Sequence, residues 1–274
     1  MEINSISSLM GNFLLGELTK TSADLLKIQE RLATGRRINS ASDDAAGLAI
    51  ATRLESQARA LGVAERNAQM AISKLQTAEG SLGSVTQDVQ RIRELSVQAA
   101  NGTLSDADRQ AVQEEINQLV ENVDYTLQSA EFNSRKIFSG ETETYQIGTD
   151  SSATMRVEYP SMSAESLGLN AIDVSTQAGA EAAIAASSDA MDRLLEVRTE
   201  LGASQNRLES ALETMSRTRI DTLSTLSTIR DANMAEETIN QAKAVTSLES
   251  QLLLLNQVKN LDRGLITSLL KDNG

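Results

Sequence analysis

Between Ile239 and Leu270 the chain places apolar side chains around almost every face of a helix: Ile239, Val245, Leu248, Leu252, Leu253, Leu254, Leu255, Val258, Leu261, Leu265, Ile266, Leu269 and Leu270. A helix that is hydrophobic nearly all round has to be buried in a large core, a membrane or an assembly. Asn256, Lys259, Asn260, Asp262 and Arg263 interrupt the stretch, so it lacks the unbroken span that a membrane helix needs. The opposite end is comparable, with Ile3, Ile6, Leu9, Met10, Phe13, Leu14, Leu18, Leu25, Ile28 and Leu32 at steps of three and four. The two ends therefore read as a pair, too apolar for one partner face to cover. The residues expected to make subunit contacts are Ile3, Ile6, Leu14, Leu18, Leu25 and Ile28 with Leu248, Leu252, Leu255, Leu261, Leu265 and Leu269.

Charge is distributed in the same sense. The formal net charge of −13 divides into 0 over residues 1–60, −12 over residues 61–235 and −1 over residues 236–274. Neutral apolar ends and an acidic middle suggest ends buried by association and a middle facing water, and they argue against a nucleic-acid partner. An acidic helical protein that is simply soluble would show the same charge. With no cysteine and no histidine, the chain has no disulfides, thiol-liganded zinc, thiol nucleophiles or His-based acid/base pairs, and no Gly-rich phosphate loop appears. An enzyme is opposed on these grounds, and no cofactor or metal is expected.

In chain order, a first helix is expected from about Ile3 to Ala33, stopping at Gly35. Residues 36–41 form a linker, after which Ser42-Asp43-Asp44 supplies an N-cap and first-turn acids. One heptad then runs through Leu54, Leu61, Ala68, Leu75, Leu82 and Val89, and a second through Ala64, Ala71, Ala78, Val85, Ile92 and Ala99. Asn101-Gly102 ends this helix; the sequon it forms with Thr103 reads as a helix-ending turn. Ser105 with Asp108 resembles a capping box for the next helix, whose Val112, Ile116, Leu119, Val123 and Leu127 continue to about Ala130.

Residues 132–176 change character: helical periodicity is lost, and Tyr145-Gln146-Ile147 and Met155–Tyr159 read as strands around a Thr-Asp-Ser-Ser turn. Phe132, Phe138, Tyr145 and Tyr159 are expected to cluster there. A last long helical region begins near Ala178, with Leu194, Leu201, Leu208 and Met215 seven apart. Arg198, Gln205 and Arg219 interrupt the adjoining row, marking a shallower face or pinning register. The expected fold is mainly α: an elongated coiled-coil, helical-bundle rod with the N- and C-terminal helices paired and a small β-hairpin at the far end. Its segments are an N-terminal helix and linker (1–42), a helical bundle (43–235, hairpin at about 132–176) and a C-terminal helix (236–274) pairing with 1–42.

Glu30-Arg31-Leu32-Ala33-Thr34-Gly35, the run from Arg37 to Ala51, Arg66-Asn67-Ala68, Gln76 to Gly80, Ile92 to Thr103 and Phe132-Asn133 resemble the N-terminal signature of bacterial flagellins. The likeness covers nearly all of residues 1–140 and, more loosely, 180–260. It implies a subunit exported through the flagellar secretion channel, without a cleaved signal peptide, that polymerises into the extracellular filament of a swimming bacterium. Its implied partners are further copies of itself, a secretion chaperone, and cap and hook-associated proteins. The paired terminal helices of the family form the inner tube of the filament and are largely unfolded in the free subunit. The short segment 140–177 leaves no room for the large variable outer domains of many family members, so the chain resembles a minimal flagellin. Its leucine-rich end departs from the family's alanine- and glutamine-containing one.

Within the resemblance, Arg91, Leu95 and Glu115 match positions that vertebrate Toll-like flagellin receptors contact. Arg91, Arg93 and Glu94 equally fit an ordinary salt-laced, solvated face. A hook-filament junction protein, which shares the terminal helices, is the alternative within the structural class.

Overall fold

A computed structural model describes residues 2–271, with side chains described for residues 9–261, 263 and 264. Ile3, Ile6, Leu265 and Leu269 of the expected subunit contacts lie outside those described side chains. The helices are α1 (Glu2–Thr34), α2 (Ala45–Ala99), α3 (Asp106–Ser129), α4 (Gln177–Arg230) and α5 (Met234–Lys271). Between α3 and α4 lie β1 (Glu131–Phe132), β2 (Arg135–Lys136), β3 (Thr142–Gln146), β4 (Thr154–Glu158) and a single 3-10 turn, Leu169–Ala171. Two compact units result, one of residues 57–221 and one of residues 1–56 with 222–274.

The 57–221 unit has a conventional core. Leu61, Ala68, Leu75, Leu82 and Val89 are buried, as are Ala64, Ala71, Ala78, Val85, Ile92 and Ala99, so both expected heptads face inward along α2 from Leu61 onward, while Leu54, at the start of the first, is only partly buried. Val112, Ile116, Val123 and Leu127 of α3 and Leu194, Leu201, Leu208 and Met215 of α4 belong to the same cluster. The alanines matter as much as the leucines, because small residues at alternate layers let helix backbones approach. Among the interrupting residues, Arg198 pairs with Glu79 at 2.5 Å and Arg219 with Glu65 at 2.9 Å, tying α4 to α2 at two levels. These two arginines therefore pin register and do not merely mark a shallow face.

The helix ends follow their local chemistry. Ser105 caps α3 through the reciprocal bonds of a capping box with Asp108. Arg109, buried beside it, donates to the carbonyls of Ala99, Asn101 and Leu104, which satisfies the end of α2 with a cation at the negative pole of its dipole. At the start of α2, Asp44 is the cap, accepting from the Gly47 amide at 2.8 Å. A Cβ at Gly47 would lie 2.3 Å from that carboxylate, so the cap and the glycine require each other. Asp43 instead closes the preceding turn, accepting from the Asn39 and Ser40 amides.

The β segment holds two antiparallel hairpins. The smaller, β1–β2, turns on Asn133 and Ser134, both at positive φ, a turn whose twist matches that of its strands. In the larger, Tyr145 stands opposite Met155. It is fastened to α2 by Lys74, whose ammonium lies 3.0 Å from Glu143 and 4.3 Å from the centre of the Tyr159 ring. Tyr145 donates to Glu143 at 2.5 Å, its hydroxyl lies 3.1 Å from that of Tyr159, and Arg135 reaches the same carboxylate at 2.9 Å. Burial and the Glu143 charge push the Tyr159 hydroxyl up to about 12. Burial, followed by the bond to Glu143, raises Tyr145 further, so both remain protonated.

Burial alone would raise the Glu143 acid, but the Tyr145 hydroxyl, Lys74 and Arg135 together hold it below the usual range. A depressed acid stabilises the fold above its unfolded pKa and loses that contribution as pH falls through its folded value. Thermal unfolding of wild type and Glu143→Gln should therefore differ at neutral pH and converge as pH is lowered through about 4. A difference independent of pH would contradict the paired state of Glu143.

Candidate assembly surface

In the unit of residues 1–56 and 222–274, α1 and α5 pack against each other along one stripe each. On α1 the half-buried positions include Leu14, Leu18, Leu25, Ile28 and Leu32, and on α5 they include Asn240, Ala244, Leu248, Gln251, Leu255 and Val258. This is the three-four spacing of a two-helix seam. Arg31 and Glu237 pair across it at 3.3 Å, and Gln251 donates to the Thr21 hydroxyl at 3.1 Å. The chain on either side is held to itself: Arg37 N–H donates to the Arg230 carbonyl and Ala232 N–H to that of Gly35, so residues 35–37 run beside residues 230–232. Gly35, at φ +68, ends α1 and lets the chain turn into this contact.

The seam stops at half-burial. No described apolar side chain of α1 or of residues 234–264 is buried, whereas the other unit buries Leu82, Val85, Ile92 and Ile116 completely. Phe13 is 67% exposed and Leu253 71%, and Leu9, Met10, Leu26, Ile239, Leu252, Leu254 and Leu261 are also open to solvent. Of the four consecutive leucines, only Leu255 is partly covered. All-round burial is thus not achieved within one chain for the described side chains of α5; a single partner helix covers only the stripe it touches. The candidate contact residues accordingly divide into those lining the intrachain seam (Leu14, Leu18, Leu25, Ile28, Leu248, Leu255) and those left outside it (Leu252, Leu261).

The receptor-matching set is also divided. Arg91 donates to Glu115 at 2.8 and 3.1 Å, joining α2 to α3 on an exposed face, and also reaches Glu94. The bonds to Glu115 and Glu94 move the Arg91 guanidinium above its ordinary value. Leu95, in contrast, is 2% exposed and belongs to the core. Its spacing from Ile92 and Ala99, three and four residues, puts it on the buried seam, so it offers no contact surface beside Arg91. Lys74 was the functional-looking residue that the periodicity concealed: a lysine placed between Ala71 and Ala78 on a buried stripe signals a partner, which is Glu143.

A helical core with its terminal helices paired, and with apolar faces of that pair uncovered, defines a class of subunits completed by association. Comparison with known proteins specifies it. The bacterial flagellin N-terminal helical region matches residues 7–143, and the bacterial flagellin C-terminal helical region matches residues 184–270. Flagellar filament core protein flaB2 of Brachyspira hyodysenteriae is 35% identical over 260 residues, covering 89% of this chain and 91% of that one. A flagellin of Halalkalibacterium halodurans is 38% identical over 215 residues, covering 77% and 79% respectively. The crystal structure of Bacillus cereus flagellin superimposes with a TM-score of 0.50 at 28% identity, over 55% of this chain and 88% of that one. The chain belongs to the bacterial flagellin family, the structural subunits of the flagellar filament.

The exposure contrast has a direct consequence for the unassembled subunit. Leu208→Ala, in the closed core, should lower stability by about 2 to 5 kcal/mol, while Leu253→Ala should stay within about 0.5 kcal/mol of wild type in urea unfolding of monomer. A comparable loss for both would mean that Leu253 is buried in the free chain.

Proposed function

We infer that this flagellin polymerises through α1 and α5, and that the apolar faces left open on these helices become the contacts between copies. The observation that carries the reading is the half-buried seam: Phe13, Leu252, Leu253, Leu254 and Leu261 stand exposed on helices that already have their intrachain partner. An exposed apolar surface of this extent marks an interaction site. Full burial of one leucine contributes roughly 1.5 to 3 kcal/mol, and a filament repeats each contact with every subunit added. The product is a helical homopolymer outside the cell that serves swimming motility. Passage by way of a secretion chaperone to cap and hook-associated proteins completes the reading. The chain has no catalytic role in it.

A role at the hook-filament junction is the competing structural reading. The relatives that align over most of the chain carry the names of filament proteins, which favours the shaft. Among the described residues no helix is long and apolar enough to cross a membrane, so the apolar surface of α5 is better matched to other copies than to lipid.

Deleting residues 236–274 should leave a soluble, partly helical chain that forms no filaments, as judged by electron microscopy and sedimentation. Normal filaments from that truncation would end the proposal, and a few copies at the filament base in place of thousands along the shaft would favour the junction reading.

A second reading concerns recognition by a Toll-like receptor, supported by the exposed Arg91–Glu115 pair and without Leu95 as a direct contact. Arg91→Ala should then reduce signalling by free subunit in receptor-bearing cells without altering circular dichroism. Equal signalling would leave the pair as an ordinary surface bridge of about 0 to 1 kcal/mol.

A further inference from the structure

The buried polar atoms of the two units are not equally well served. In the 57–221 unit, Lys74, Thr86, Ser96, Arg109 and Ser187 are buried, and each has a hydrogen-bond or ionic partner. Among the described residues, the buried side-chain oxygens lacking any partner are Glu237 Oε2 and Gln251 Oε1, both on α5 in the other unit. Native structures keep few such orphans, because an unpaired buried acceptor forfeits its hydration without replacement. Both sit on the face that α5 turns towards α1, in the same stripe that leaves its apolar residues half-covered.

Glu237 is the more informative. It is 8% exposed, and its other oxygen lies 3.3 Å from Arg31, long for a bond between two charges. It also lines an open cleft of about 560 Å³ between α1 and α5, whose walls include Thr21, Lys27, Lys243 and Ser247. The last torsion of a glutamate is soft, so the carboxylate can turn towards a donor entering the cleft without moving the backbone.

We propose that a second copy of this chain inserts a nitrogen donor into the α1–α5 cleft and that Glu237 accepts its hydrogen bond in the filament. This rests on polymerisation through α1 and α5, proposed above, and adds a specific polar contact to it. A second copy is the fitting occupant because open apolar side chains border the cleft along α5: exposed Met234 stands three residues from Glu237, and exposed Ile239 four residues from Lys243. Apolar contact alone is non-directional. An acceptor that is satisfied in only one arrangement selects the subunit register, since any other docking leaves it buried and unpaired.

The test uses the full chain and growth from wild-type filament fragments, with the critical concentration as readout. Glu237→Gln keeps the volume and one acceptor for Arg31, but offers an amide donor to the incoming donor. Glu236→Gln makes the same charge change at the exposed neighbour. The critical concentration should rise about tenfold or more for Glu237→Gln and stay near wild type for Glu236→Gln. Wild-type growth by Glu237→Gln, or equal losses in both variants, overturns the contact. Should Glu237→Gln lower monomer helicity, Arg31→Gln is the reference, because it breaks the same intrachain pair and leaves the Glu237 acceptor intact. Growth of Glu237→Gln must then be poorer than that of Arg31→Gln, and equal growth overturns the inference. Absence of filaments from wild type would instead overturn polymerisation itself, and the contact with it.

Discussion

The packing of α1 on α5 is the contact on which the behaviour of this chain depends, because it buries enough to pair the ends and not enough to finish them. Leu14, Leu18, Leu25 and Ile28 against Leu248 and Leu255 form a seam one side chain wide, with water along both margins. Two isolated helices expose the flanks of every contact they make, and a third surface is needed before a leucine between them loses its hydration fully. The 57–221 unit shows the difference that further layers make: Ile116, Leu194 and Leu208 belong to one cluster to which α2, α3, α4 and the β segment all contribute, and are completely buried. The same kinds of residue therefore do different work in the two units, closing a core in one and leaving an open apolar surface in the other.

Polar contacts supply what those apolar surfaces cannot, which is position. Arg198 with Glu79 and Arg219 with Glu65 are partly solvated, and pairs of this kind add about 0 to 1 kcal/mol each. Their value lies in register: sliding α4 by one turn along α2 would part both pairs and face each charge with a wrong layer. Lys74 does the same for the β3–β4 hairpin more strongly, because it is buried, and removing one partner would leave an uncompensated charge in the core. A subunit repeated many times in a polymer needs such fixed internal geometry, since an error in one copy is propagated by the next contact.

The sequence makes the repetitive parts of this architecture readable. The α2 heptads, the Ser105–Asp108 box, the stop at Gly35 and the Met155–Tyr159 strand are local statements, each decided within a few residues, and the structure agrees with them. The β1–β2 hairpin was not read, because two-residue strands carry no periodicity and the Asn133-Ser134 turn lacks the glycine that usually announces such a hairpin. The assembly surface was legible only in outline. Apolar density on α5 indicated excess surface, but which leucines belong to the intrachain seam depends on the angle at which α1 arrives, and that is long-range information. Leu95 illustrates the opposite case: a functional resemblance drew it to the surface, although its spacing from Ile92 and Ala99 already assigned it to the core.

An exposed surface of this kind is an aggregation hazard unless something makes growth ordered, and the charge distribution provides one constraint. The chain carries a net charge of −13, concentrated in residues 61–235, while the helix ends are nearly neutral. For polymerisation through α1 and α5 as proposed, the acidic segments repel one another when subunits meet, while the nearly neutral α1 and α5 add little repulsion of their own. Repulsion is screened over about 8 Å at physiological salt and so acts at close range, where orientation is decided. Attraction confined to the ends, repulsion assigned to the middle and unpaired acceptors at Glu237 and Gln251 together restrict the arrangements in which copies fit. In the proposed polymer, that combination makes a selective subunit contact of an incompletely buried helix pair.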